Sequence, residues 1–420
     1  MIKFTNGYVL SKDFELIKDD VYVKGDSIYK IGKCDEKADS VYDLNGNLLM
    51  PSFKNAHTHS AMTFGRSLAD DLPLQSWLND EIFPREAKLE SRDIYDLSML
   101  AFLEYLTSGV SACFDMYYHP DMMAKASTDL GFRTVMTSGL NNFCESIQSV
   151  EDYYKRYNSY SDLISYKLGF HAEYTTDKKL IFDISKLAEK YEAPVFLHAS
   201  ETKAEVEDCI KRYGKSPTLF LDEMGIFNYG GGAYHSVWVS DDDLEIYKKR
   251  GIWAIINAGS NAKLASGIAP VSKMLKKGIN IAIGTDGPSS NNALDMFREM
   301  YLIEATQKLN DKDAASTDPI EILKAATIGS AHCMGLYDCD TIAEGKKADL
   351  IVIDLHKPSM QPINNILKNI VYSGSKDIVK MTMVNGRILY ENGEFKGVDA
   401  EKIYYCLLYT SPSPRDPKTS

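Results

Sequence analysis

Apolar residues follow two different rhythms along this chain. Over residues 1–50 they alternate with polar ones, in "VYVKGDSIYKIG" and "SVYDLNGNLLM". The same period of two returns in "ADLIVIDL" and "IVKMTMVNGRILYENGEF", the spacing of strands with one buried face. Gly25-Asp26, Asn45-Gly46, Asn385-Gly386 and Asn392-Gly393 mark tight turns between them. Two strand-rich ends around a different middle predict a small β-sandwich domain built from both termini, residues 1–50 with 345–403.

The middle, residues 51–344, alternates between short apolar runs and helical patterns. The runs are "LLMPSFKNAHTH", "GVSACFDMY", "RTVMTSGL", "YKLGFHAE", "APVFLHASE", "GAYHSVWV", "WAIINAGS" and "INIAIGTDG". Between them, "DKKLIFDISKLAEKYE" and "DDDLEIYKKRG" carry apolar residues three and four apart, as amphipathic helices do. Eight βα units predict an α/β fold, a (β/α)8 TIM barrel serving as the catalytic domain. The connection after the first strand is the longest, from Ser60 to about Thr107. It contains "LADDLPLQSWLNDEIFPREAKL", a segment suited to cover the barrel mouth.

Composition narrows what such a barrel acts on. A formal charge of −12 over 420 residues argues against a nucleic-acid partner and leaves a small molecule as the expected substrate. Seven scattered cysteines without a Cys-x-x-Cys read as reduced thiols rather than a disulfide framework. The N-terminus lacks a signal-peptide core, and no run reaches the roughly 20 apolar residues of a membrane span. The expectation is a cytoplasmic protein with no membrane partner. The last stretch, "YYCLLYTSPSPRDPKTS" at 404–420, has no periodicity and is set aside as a non-native or disordered tail.

Where the histidines fall decides the chemistry. In a (β/α)8 barrel, side chains converge at the C-terminal ends of the strands. The first run ends in His57-Thr58-His59, the fourth in His171, the fifth in His198, the sixth near His235, and the eighth in Gly284-Thr285-Asp286. Five of the eight histidines thus sit at strand ends. Taken singly, each has an ordinary explanation, as a satisfied core histidine or a turn aspartate. Taken together, His57, His59, His198 and Asp286 form a ligand set for Zn²⁺ or a similar ion with a position left open. Such an ion lowers the pKa of water from about 16 toward about 7. Glu201, three residues after His198 in "HASE", suits a proton shuttle. Asp286 can take a proton from the attacking water, and His235 can polarise it or the charge that develops.

These residues resemble the amidohydrolase superfamily, in its branch acting on adenosine-type substrates. The likeness runs over roughly residues 1 to 400, through "DLNGNLLMPSFKNAHTH", "WLNDEIFPREAKL", "HASE", "SNAKLASGIAPV" and "GTDGPSSNNALDMFREM". It is nearest to 5′-methylthioadenosine/S-adenosylhomocysteine deaminases. The resemblance implies a hydrolase of C–N bonds in cyclic amidines, turning a 6-amino nucleoside into its inosine analogue plus ammonia. The implied substrates are 5′-methylthioadenosine, 5′-deoxyadenosine, adenosine or S-adenosylhomocysteine. It implies His57, His59, His198 and Asp286 as the ligands of one divalent ion, zinc first, with Fe²⁺ or Mn²⁺ also acceptable to imidazole-rich sites. His171 occupies the place where binuclear relatives carry a bridging lysine, hence one ion rather than two. Glu86 matches a glutamate that holds ribose hydroxyls, and His171 a substrate contact. Ser138 stands where some relatives have an arginine, which favours substrates without a carboxylate. A homo-oligomer is implied as well. The alternative is an amidohydrolase of another heterocycle: guanine, a pterin, a triazine or a cyclic amide.

Overall fold

The structure, a computed structural model, describes residues 1–72 and 74–407. It bears out the barrel. Eight strands lie in sequential order, each parallel to its neighbours: β1 (Phe53–Thr58), β2 (Val110–Met116), β3 (Arg133–Thr137), β4 (Ile164–Ala172), β5 (Val195–Ala199), β6 (Gly231–His235), β7 (Ile252–Ile256) and β8 (Ile281–Ile283). Their inward side chains, among them Ala56, Phe114, Val135, Phe196, Tyr234 and Ile255, form one buried cluster that fills the barrel. The outward faces pack against the surrounding helices in a larger core. Apolar residues on both sides explain why the strands read as continuous runs rather than alternations.

The seam between β8 and β1 is closed by a side chain. Asn55 donates from Nδ2 to Thr285 Oγ1 at 2.8 Å and accepts from Thr285 N at 2.9 Å. The Asp286 amide then donates to His57 O at 3.0 Å. Helix signals behave as their chemistry demands. The helix Asp241–Arg250 opens with three aspartates and a Ser240 cap, closes with Lys248, Lys249 and Arg250, and stops at Gly251, whose φ is 67°. Acidic and basic ends match the helix dipole, and glycine supplies the left-handed exit.

The chain ends build two further sheets. One places Leu350–Ile353 antiparallel to Leu48–Pro51, so both termini share a ladder. The other is four-stranded and holds Ile2–Thr5 and Val21–Lys24. Phe4, Val21, Leu49, Val352 and Met381 are buried together between them. Beyond this unit, a helix at Ala400–Leu407 packs on the helix Ser91–Thr107 and buries Ile403. The first residues of the segment set aside as a tail are therefore helical. Residues 408–420 of that segment lie outside the described residues. Among the described residues, no helix is long and apolar enough to cross a membrane.

A buried charge cluster joins the barrel floor to the sheets. Asp349 is fully buried and accepts from Arg133 at 3.0 and 3.1 Å, from Ser111 Oγ at 3.0 Å and from the Asn385 amide at 2.8 Å. Lys54 Nζ lies 3.9 Å away. Burial opposes the carboxylate, but the Arg133 and Lys54 charges outweigh it and hold its pKa down at about 2. Asp349→Ala strands two buried cations and is expected to cost roughly 3–5 kcal/mol in urea unfolding, whereas a loss below about 1 kcal/mol would show the cluster dispensable. Because the folded pKa is depressed, this stabilisation is complete above the unfolded value near about 3.9. It is lost as pH falls toward 2. Wild type and variant should therefore converge in acid.

Candidate active site

The strand ends bring His59, His171, His198, Glu201, His235 and Asp286 to one cavity of about 690 Å³, mouth included, with His57 fully buried beside them. His57 lies in β1 and His59 just past it; His171 and His198 lie in β4 and β5, and His235 ends β6. Strict alternation cannot turn both Ala56 and His57 inward. The pairing of β1 with β2 shifts register between Asn55 and Thr58, and this irregularity lets Ala56 join the interior cluster while His57 stacks on Tyr234 at 3.7 Å. Gly284 passes so close that a Cβ there would sit 2.7 Å from His57, so no larger residue fits without moving the histidine. Ser200, His235 and Asp286 hold left-handed backbones, with φ of 57°, 72° and 61°. Such strain, of order 1 kcal/mol or more each, concentrates at functional sites.

Hydrogen bonds from the far side of each ring set the tautomers. His59 Nδ1 donates to Met116 O at 2.6 Å and His198 Nδ1 to His171 O at 2.8 Å, so that in each ring Nε2 is the atom turned toward the cluster. His235 Nδ1 bonds Asn261 Oδ1 at 2.8 Å. Asp286 Oδ2 accepts from Ser260 Oγ at 2.6 Å and Ser290 Oγ at 2.8 Å. Its Oδ1 lies 3.6 and 3.3 Å from Nε2 of His57 and His59. Burial pushes the pKa of His57 down to about 3 and of His171 to about 4, and holds His198 low as well. His59 is the exception. Burial works against its charge, but the bond to Asp286 prevails and lifts it to about 9. Burial raises Glu201, whose Oε2 is 3.7 Å from His235 Nε2 and whose Oε1 accepts from Ser266 Oγ at 3.3 Å.

This cluster fits a divalent cation. Both ring nitrogens of His57 are buried and, among the described residues, have no hydrogen-bond partner, a cost of about 1–3 kcal/mol for a polar group taken from water. Two overlapping triads, His57-His198-His235 and His57-His59-Asp286, each hold their ligand atoms within 4.8 Å of one another. Neutral imidazoles and one carboxylate are the donors a borderline ion prefers. A cation among them would also replace the proton that Asp286 otherwise keeps on His59.

The family model for amidohydrolases matches residues 48–389. The chain belongs to the amidohydrolase family. As an amidohydrolase it is 39% identical over 418 residues to the 5-methylthioadenosine/S-adenosylhomocysteine deaminase of Caldanaerobacter subterraneus subsp. tengcongensis, covering 96% of each chain. It is 36% identical to the 5′-deoxyadenosine deaminase of Methanopyrus kandleri, over 90% of this chain and 89% of that one. Among solved structures it resembles an adenosine deaminase from Xanthomonas campestris with bound zinc, with TM-score 0.91, 28% identity and 96% of both chains covered.

The remaining predicted residues divide. Glu86 and His171 line the cavity. Glu86 accepts from the Tyr117 hydroxyl at 2.7 Å, and burial lifts its pKa to about 7. Ser138 does not line it. Its hydroxyl donates to Glu145 and accepts from the Leu140 amide at 2.9 Å, leaving Gly139 on the cavity wall. The other histidines lie elsewhere: His119 is exposed beside Ser91, His332 bonds Asp340 at 2.7 Å, and His356 meets Asn45 O at 2.8 Å. Two participants were overlooked. Tyr117 carried no recognisable signal. Ser290 stands four residues after Asp286 in "GTDGPSS".

Proposed function

We propose that this amidohydrolase is a hydrolytic deaminase of adenosine-type nucleosides, acting in the cytoplasm with residues 51–344 as its catalytic domain. The observation that carries the reading is a buried carboxyl, Glu201, and His235 facing the same histidine–aspartate cluster, in a cavity whose wall also bears Glu86. The names of the relatives support it. His57, His59, His198 and Asp286 would hold one divalent cation, zinc first given the bound zinc of the similar adenosine deaminase. When bound, the cation supplies positive charge that acidifies water at neutral pH.

The chain's own groups do the rest. Asp286 accepts a proton from the water that attacks C6 of the adenine ring. Glu201, whose pKa burial raises, delivers a proton to the ring nitrogen; the amino group takes up the proton held by Asp286 and leaves as ammonia, while the new C6 hydroxyl returns its proton to Glu201 as the carbonyl forms. His235 steadies the charge that develops, its ring held by Asn261. Glu86 receives the ribose hydroxyls, and His171 borders the same cavity. Among the described residues, no lysine or arginine lines the cavity, which favours 5′-methylthioadenosine, 5′-deoxyadenosine and adenosine over the carboxylate-bearing S-adenosylhomocysteine.

Glu201→Gln is expected to keep its bound metal and lose turnover by about 10²-fold or more, because only proton transfer is removed. Loss of the metal, or near-normal ammonia release, would sink the role. Glu86→Ala should lower kcat/KM for nucleosides at least tenfold more than for free adenine, an interval of roughly 1.4 kcal/mol. Equal losses would favour an enzyme of another heterocycle instead. Ammonia release across a panel of the four nucleosides, with metal content measured on the same protein, tests the substrate class directly. A higher kcat/KM for S-adenosylhomocysteine than for 5′-methylthioadenosine would contradict the preference.

A further inference from the structure

Glu205 is buried and has no place in the chemistry described above, yet its carboxylate gathers three successive backbone amides. Oε1 accepts from Ser200 N at 2.7 Å, and Oε2 accepts from Glu201 N at 2.8 Å and Thr202 N at 3.4 Å. Thr202 Oγ1 returns a bond from Glu205 N at 3.2 Å, which makes the start of the helix Lys203–Tyr213 a capping box. Among the described residues, the other capping boxes reach one amide only. Ser149 takes Ser146 N at 2.8 Å, Asp243 takes Ser240 N at 2.8 Å, and Asp93 takes Glu90 N at 2.9 Å. At Glu205 the longer side chain extends past the cap to the amide of Glu201 itself and to the left-handed Ser200. The Ser200 carbonyl is held from the other side by Val237 N at 3.0 Å and Trp238 N at 2.8 Å, in the loop that follows His235.

We propose that Glu205 is a positioning residue that fixes the Ser200–Thr202 backbone and thereby aims the Glu201 carboxyl at the reacting ring. The inference rests on the proton-transfer role of Glu201. A capping bond explains only the contact to Thr202; the two bonds beyond it act on the segment that carries Glu201. Glutamine cannot replace the carboxylate, because its NH2 would face an amide donor where an acceptor is needed. Aspartate keeps the charge but lacks the reach. Misplacing a catalytic group by about 1 Å costs rates on the order of 10²-fold.

Glu205→Gln is expected to lower kcat by about 10- to 100-fold with KM changed by less than about threefold and metal content unchanged. Amide hydrogen exchange at residues 200–202 should accelerate in the same protein. The double variant Glu201→Gln/Glu205→Gln should be no slower than Glu201→Gln alone, since residues acting as a unit are not additive. Thr202→Ala, which removes the cap bond but keeps the carboxylate, should lower Tm and leave kcat as it is. Glu205→Asp provides the same kcat and exchange readouts should the glutamine variant fail to fold. A kcat within about twofold of wild type in Glu205→Gln, or losses that multiply in the double variant, would overturn the positioning role. Full turnover in Glu201→Gln alone would instead remove the reading on which it rests.

Discussion

Closing the barrel and assembling the site are the same event in this protein. The strands meet at a seam where Asn55 pairs its side-chain amide in both directions with Thr285, 230 residues away in sequence. Both groups are buried, where hydrogen bonds are strong and unpaired polar groups costly. The adjoining bond from Asp286 N to His57 O then sets the aspartate against the two histidines of β1. A slip of one residue in either strand would reverse which side chains face the interior. Gly284 completes the constraint, because no side chain fits between β8 and His57.

The two ends of the barrel use buried charge for opposite purposes. At the N-terminal ends of the strands, Asp349 pairs with Arg133, lies 3.9 Å from Lys54, and ties the barrel to the sheets made from the chain termini. At the C-terminal ends, burial keeps His57, His171 and His198 uncharged, and main-chain carbonyls choose which nitrogen of His59 and His198 faces the cavity. Among the described residues, the His57 nitrogens have no hydrogen-bond partner. Stability is satisfied at one end, while coordination capacity stays open at the other, the division expected of (β/α)8 enzymes.

Much of this was legible because barrel strands have a simple signature. Strands covered on both faces read as short apolar runs, and polar residues are tolerated only where they converge at the ends. The places of His57, His59, His198, His235 and Asp286 at the ends of such runs therefore group them in the sequence alone. Ser138 was harder to place. A residue at a strand end can turn toward the cavity or toward its own loop, and the acceptor on Glu145 drew it to the loop. Glu86 sat in a charged stretch that resembles a solvated surface, and only the packing of the segment over the mouth buries it beside Tyr117. The helix at Ala400–Leu407 was hidden by a short, atypical sequence whose docking partner, the helix Ser91–Thr107, lies far upstream.

By itself, the sequence determined the order of the elements, the class of fold and the types of residue that reach the cavity. Those properties follow from local periodicity and from the alternation of side chains along a strand. Tertiary structure alone decided the irregularity in β1 that turns both Ala56 and His57 inward. It also decided which imidazole nitrogen each histidine exposes, the serines that brace Asp286 and the amides collected by Glu205. Each of these depends on hydrogen bonds to partners brought near only by the closed barrel, and local periodicity carries no record of such partners.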